Sequence, residues 1–224
     1  MYFHYVLAFV CLFVCFHSHS YFFVYSRRMS QKSLLSQDMF LMGPPGPLKR
    51  RLALTMAELC GWEVEYLHLS KDTTESDIKQ RREIVGSSSV FVDQGPVRAA
   101  IHGRLLILDG MENAERNVLP TLNNLLENRE MSLDDGRYLI KEDTYKEIMR
   151  GAGADNADGG GSKLVPVHSN FRVMALGCPV PPYAGRTIDP PLRSRFQCRY
   201  VDELTPSTQG MERRPHSSST LCAD

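Results

Sequence analysis

The sequence lacks an excess of charge of either sign: 26 basic residues stand against 26 acidic ones, for a formal net charge of +0. Without a global field nothing favours nucleic acid or an anionic membrane as a partner, and partners have to be read from local sites. Paired cysteines are lacking too. The 6 cysteines, Cys11, Cys15, Cys60, Cys178, Cys198 and Cys222, are scattered without a Cys-x-x-Cys spacing, so neither a disulfide scaffold nor a zinc module is indicated and a reduced compartment fits best. No internal repeat is visible. Aliphatic side chains run out at the C-terminal end, where the Ser-, Thr- and Pro-rich stretch 205–224 has nothing to bury and is expected to be disordered. What is present, in 224 residues of which 42% are hydrophobic, suffices for one sizeable domain with a buried core and not for two large ones.

The first 25 residues differ from the rest: 5–16 form an unbroken apolar run, 17–20 are polar, 21–25 are apolar again, and Arg27-Arg28 closes the segment. A positive start and a clear cleavage site are missing for a signal peptide, as are arginines and amphipathicity for a mitochondrial presequence. Two readings stay open: a short signal anchor in contact with a membrane through residues 5–25, or a stretch that is not a native start. The domain division expected is therefore an apolar segment 1–29, a folded domain 30–204 carrying a Gly-rich mobile loop at 151–162, and the tail 205–224.

Three short apolar runs, 39–42, 105–108 and 173–176, do not alternate and each precedes a Gly or Asp. Such runs are the mark of strands buried on both faces of a parallel sheet. Weaker strand candidates are 64–69 and 198–201. The clearest helical stripe runs from 113 to 128, with Pro120 weakening its middle, and Asp135-Gly136 predicts a hairpin between 131–133 and 137–139. Alternating strand and helix point to an α/β layer fold.

Behind the first strand comes Gly43-Pro44-Pro45-Gly46-Pro47-Leu48-Lys49-Arg50, opening a helix expected over 49–60. A phosphate loop, G-x-x-x-x-G-K-[ST], needs glycines for inward-facing N–H groups, a lysine for the β and γ oxygens and a hydroxyl for magnesium. Gly43 and Lys49 keep that spacing, whereas Leu48 replaces the second Gly and Arg50 the hydroxyl residue. On this segment alone a Gly-Pro turn before a helix explains the pattern better.

The second apolar strand ends on Asp109, where a carboxylate could hold Mg2+. The Glu that usually follows, to orient the attacking water, is Gly110. Glu112 could reach the site only through a displaced turn and otherwise reads as a first-turn acid at a helix N-terminus. Cys178, after the third strand, stands where a polar sensor would touch the γ-phosphate; it is a poor substitute for one and reads better as a small buried residue. Arg193 and Arg195 precede the last strand, where arginines can act on a neighbouring subunit or form a solvated basic turn.

These pieces stand in one order: the loop at 43–50; Asp72-Thr73-Thr74-Glu75-Ser76-Asp77 with Arg81-Arg82; Gly95-Pro96-Val97-Arg98-Ala99-Ala100; the strand with Asp109; Leu126-Glu127-Asn128-Arg129-Glu130; Asp135-Gly136-Arg137; and Leu192-Arg193-Ser194-Arg195-Phe196. In that order, over about residues 31–201, the chain resembles the dynein-related, midasin and MoxR-like branch of AAA+ ATPases. The resemblance implies a P-loop NTPase-type parallel sheet flanked by helices, ATP and Mg2+ as cofactors, a homo-oligomeric ring closed through Arg193 or Arg195, ATP hydrolysis coupled to remodelling, and a mitochondrial setting. It also implies that the sequence stops before the helical lid, as a fragment or short isoform would. Gly110 and Cys178 depart from an active site of this kind, which leaves the alternative of a nucleotide-binding or assembly module that hydrolyses nothing. Restoring Glu at position 110 is then expected to raise turnover, provided that residue has ordinary strand-end dihedrals.

Overall fold

The structure is a computed structural model that describes residues 20–116, 118–151, 163–188 and 190–202. Five parallel strands form its central sheet: β1 (Met39–Met42), β2 (Val64–His68), β5 (Leu105–Asp109), β9 (Arg172–Gly177) and β10 (Gln197–Tyr200), in the order β10-β1-β9-β5-β2. The three non-alternating runs are the three middle strands. Side chains of a strand point alternately to its two faces, so a strand covered on both sides is apolar throughout.

Two separate clusters carry that burial. Phe40, Leu106, Leu108, Val173 and Ala175 face one side, packing with Val97 and Ala100 of α4 (Gly95–His102) and Leu122 and Leu125 of α5 (Leu119–Glu127). Their neighbours Met39, Leu41, Leu105, Ile107, Met174 and Leu176 face the other, against Leu52 and Met56 of α2 (Leu48–Cys60) and Tyr25 and Met29 of α1 (Ser20–Leu34). Fully burying one Leu- or Met-sized side chain contributes about 1.5–3 kcal/mol, so either face alone outweighs any single surface contact.

Three sequence expectations need correction. Helix α1 crosses the division placed at residue 29, because Tyr25 and Met29 are anchored in the core. That also takes Tyr25 out of any membrane-contacting segment; no helix among the described residues is long and apolar enough to cross a membrane, and residues 1–19 lie outside them. The stripe 113–128 is not one helix: Met111–Asn113 is a 3-10 turn, and α5 begins at Leu119 with Pro120 in its first turn, the one place where a missing N–H costs nothing. The Gly-rich stretch 152–162 and the tail 203–224 lie outside the described residues.

The Asp135-Gly136 turn joins β6 (Met131–Ser132) to β7 (Arg137–Lys141) antiparallel, and β8 (Lys163–Val167) adds in parallel to make a second small sheet. A further hairpin, β3 (Gln80–Val85) and β4 (Ser88–Asp93), follows the short α3 (Glu75–Ile78) and leaves Ile84 and Val85 in solvent. Helices α6 (Glu142–Gly151) and α7 (Pro190–Arg195) complete the described elements.

Candidate functional site

Strand register decides which residues meet. Met42 pairs with Gly177 and Tyr200, while Asp109 pairs with Leu176 and His68, so these strands finish along one edge. The loop 43–47, Gly110, Cys178 and the 3-10 turn all leave from that edge, where ligands of open α/β sheets bind. Lys49, Arg50, Asp109, Glu112 and Cys178 are gathered there; Arg193 and Arg195 are not.

Lys49 is buried in the first turn of α2. Its Nζ donates to the Gly43 carbonyl at 3.0 Å and to the Pro44 carbonyl, with the Cys178 sulfur 4.0 Å away. No carboxylate among the described residues forms an ion pair with it. Burying an ammonium without a counter-charge is unfavourable, and two loop carbonyls offset only part of that. The loop is sparing with donors as well, since Pro44, Pro45 and Pro47 have no N–H. The N–H groups it can turn on an anion are those of Gly46, Leu48 and the residues after them, at the N-terminal end of a 13-residue helix.

Asp109 is engaged by its neighbours. Its Oδ2 accepts from Arg50 Nη2 at 2.6 Å, from Arg50 Nε at 3.2 Å and from the Tyr66 hydroxyl, and the Arg50 guanidinium stacks on the Tyr66 ring at 5.3 Å. Burial works to raise the Asp109 carboxyl pKa, but the Tyr66 and Arg50 hydrogen bonds prevail and hold it below the usual carboxylate range. Tyr66 responds oppositely, pushed up to about 12 by burial and by the Asp109 carboxylate. A magnesium ion does not fit this donor set. On a nucleotide such an ion takes phosphate and water oxygens and one or two oxygens of the protein, whereas here Asp109 Oδ2 already accepts three hydrogens and position 50 supplies a cation in place of the hydroxyl.

Gly110 has φ 86 and ψ 41, a left-handed conformation that turns the chain immediately after β5. A side chain there would be strained, and its Cβ would lie 2.8 Å from the Leu69 carbonyl oxygen. The ordinary strand-end dihedrals on which a Gly110→Glu gain depends are therefore absent. The same turn brings Glu112 back to the edge. Glu112 is buried, and its Oε2 has no hydrogen-bond partner among the described residues. It lies over Gly177, where an added Cβ would come within 2.8 Å of that oxygen. Cys178, half-buried beside it, has its thiol pKa raised by burial and then by the Glu112 carboxylate; a thiol is too weak a donor to satisfy that oxygen. Glu112 is thus a carboxylate aimed into the site rather than a solvated first-turn acid.

Arg193 and Arg195 sit on α7, which leads into the starting end of β10. Arg195 pairs with Glu127 and donates to Asn123 Oδ1 at 3.3 Å, both on α5. Four strand residues, roughly 13 Å, separate that end from the loop, so neither arginine serves the loop of its own chain. Arg195 also lines a cavity of about 810 Å³ at the starting edge, together with Asp38, Arg129, His168 and Arg172. None of the other candidate residues reaches it. Of the edge residues, Tyr66 was missed by sequence reading; its signal was its place two residues before the end of a strand beside β5.

Residues 38–196 match the family model of the AAA domain, dynein-related subfamily. The chain is 56% identical over 175 residues to von Willebrand factor A domain-containing protein 8 of mouse, covering 78% of this chain and 9% of that protein. It is 29% identical over 102 residues to midasin of Giardia intestinalis, covering 46% of this chain and 2% of that one. The chain thus spans less than a tenth of the length of these relatives. A crystal structure of a candidate ATPase from Cytophaga hutchinsonii superposes with a TM-score of 0.58 at 13% identity, over 82% of this chain and 47% of that one, a likeness of fold.

Proposed function

Because the chain belongs to the dynein-related subfamily of AAA domains, as the match over residues 38–196 establishes, we propose that it binds ATP at the loop 43–50 and hydrolyses it within an oligomer. Lys49 carries the reading: a buried ammonium whose partners are two carbonyls and a sulfur is a cation prepared for an anion. In a phosphate loop that lysine reaches the β and γ oxygens. Glu112 takes the part of the glutamate missing at 110, accepting a proton from the water that attacks the γ-phosphorus while the β,γ-bridging oxygen leaves with ADP. Arg193 or Arg195, remote from their own loop, would act on the loop of a neighbouring subunit, Arg195 after release from Glu127. The mitochondrial setting implied by the resemblance is part of the same proposal, and fractionation of cells expressing a tagged chain tests it.

One observation favours a second reading, in which nucleotide is held and not turned over. Arg50 and Tyr66 occupy the oxygen of Asp109 that phosphoryl transfer ordinarily leaves for a metal. ATP affinity and turnover measured on the whole chain, on Lys49→Ala and on Glu112→Gln distinguish the two. Hydrolysis requires Lys49→Ala to lose affinity and Glu112→Gln to keep affinity while losing about a hundredfold in turnover. Affinity without turnover in the parent chain selects the second reading, and unchanged affinity in a folded Lys49→Ala protein refutes both.

A further inference from the structure

We infer that Arg50 is a built-in replacement for the divalent cation, so that this chain takes a nucleoside triphosphate free of metal. The inference rests on the nucleotide-binding reading above and concerns the form in which the nucleotide is bound. Three observations lead to it. At position 50, where a hydroxyl would ligate the metal, stands a guanidinium. That guanidinium reaches across 59 residues of sequence to the carboxylate that would be the second protein ligand, with Nη2 at 2.6 Å and Nε at 3.2 Å from the same oxygen. Tyr66 then completes the set, donating its hydroxyl to that oxygen and placing its ring under the guanidinium at 5.3 Å.

The arrangement has a direct chemical consequence. A magnesium ion brought in on ATP would meet a fixed positive charge and a carboxylate oxygen whose lone pairs are taken, with no hydroxyl at position 50 to ligate it. Arg50 itself is half-exposed at the mouth of the loop, and its Nη1 has no hydrogen-bond partner among the described residues. A guanidinium with free N–H groups binds phosphate oxygens in a fork, more directionally than an ammonium does. Together with the buried Lys49 it gives the loop two cations for phosphate, which compensates for the donors lost at Pro44, Pro45 and Pro47. Metal-free triphosphate carries more negative charge than its magnesium complex, and a site with two protein cations and an Asp109 oxygen already taken favours the former.

The test compares ATP affinity by calorimetry in magnesium and in EDTA, for the whole chain and for Arg50→Thr, which restores the hydroxyl and frees Asp109. The whole chain is expected to bind at least as tightly in EDTA as in magnesium, and Arg50→Thr to bind at least about tenfold more weakly in EDTA than in magnesium. Arg50→Gln, close in length and uncharged, is the second variant should Arg50→Thr fail to fold; it is expected to lose affinity most in EDTA. Binding by the whole chain in magnesium only overturns the inference and leaves the nucleotide reading intact. Binding in neither condition overturns both. An Arg50→Thr or Arg50→Gln protein that folds and binds metal-free ATP as well as the parent shows that Arg50 does not replace the cation.

Discussion

The central sheet buries charge at both of its edges, and the two edges treat it in opposite ways. Where the strands start, Asp38 accepts from Arg129 at 2.8 Å and from the Val173 N–H at 2.9 Å, and the Arg129 guanidinium lies over the Phe171 ring at 5.0 Å. Burial pushes the Asp38 carboxyl pKa up against the pull of Arg129, yet both of its oxygens are satisfied. Where the strands finish, Lys49 has no anion and Glu112 has an oxygen with no partner among the described residues. Satisfied buried charge holds a fold together, whereas unsatisfied buried charge costs stability and persists where a ligand completes it. The starting edge therefore reads as a strut and the finishing edge as a site, although a cavity of about 810 Å³ lies beside the strut.

The strongest way to break this comparison is to spoil the strut. Arg129→Met removes the cation and leaves Asp38 buried without its ion pair, which is expected to cost about 3–5 kcal/mol. Urea unfolding should show the lower midpoint, while protein that remains folded keeps its ATP affinity. A loss below about 1 kcal/mol would mean that the pair is no more than a surface salt bridge and that the two edges do not differ in kind.

Gly110→Ala sharpens the other half. With φ at 86 and the Leu69 carbonyl 2.8 Å from a Cβ, the substitution should cost about 1–2 kcal/mol and shift the turn that returns Glu112 to the site. Turnover is expected to fall with affinity nearly unchanged, since Lys49 and Arg50 stand on a different element. Stopped-flow binding beside a steady-state phosphate assay separates the two effects. An equal loss of both would place Gly110 in nucleotide binding and remove the special role given to its turn.

These residues also show what sequence could and could not reveal. The middle strands were legible because burial on both faces makes a strand apolar at every position, and Asp109 was legible as the first charge after such a run. The left-handed Gly110 was not, since a glycine is silent about its own dihedrals, and so Glu112 was weighed as an ordinary first-turn acid. Arg50 read as a missing ligand; its pairing with Asp109 depends on two elements coming side by side, which local pattern does not encode. The β3–β4 hairpin escaped because most of its residues face solvent on both sides, leaving no alternation to detect.

The smallest expected effect concerns Tyr66, the residue that separates an incidental Arg50–Asp109 pair from a fixed arrangement. Tyr66→Phe keeps the ring under Arg50 and removes one hydrogen bond, which at neutral pH should cost about 0.5–1.5 kcal/mol. The pH dependence is more telling. An aspartate whose folded pKa lies below its unfolded value contributes stability above the unfolded pKa and loses it as pH falls through the folded one. Burial opposes that lowering at Asp109, and the hydrogen bond from the Tyr66 hydroxyl lowers it together with the hydrogen bond and the charge of Arg50. Without the hydroxyl the Asp109 pKa rises towards the ordinary range, so the variant should begin to lose this contribution at a higher pH than the parent. Tyr66, with its own pKa near 12, stays protonated throughout that range and adds no titration of its own. The difference in unfolding free energy between the two proteins, followed from neutral to acid pH, should shrink as Asp109 protonates in both. A difference that is flat across that range would show that Tyr66 does not set the charge of Asp109, and that Arg50 holds the carboxylate alone.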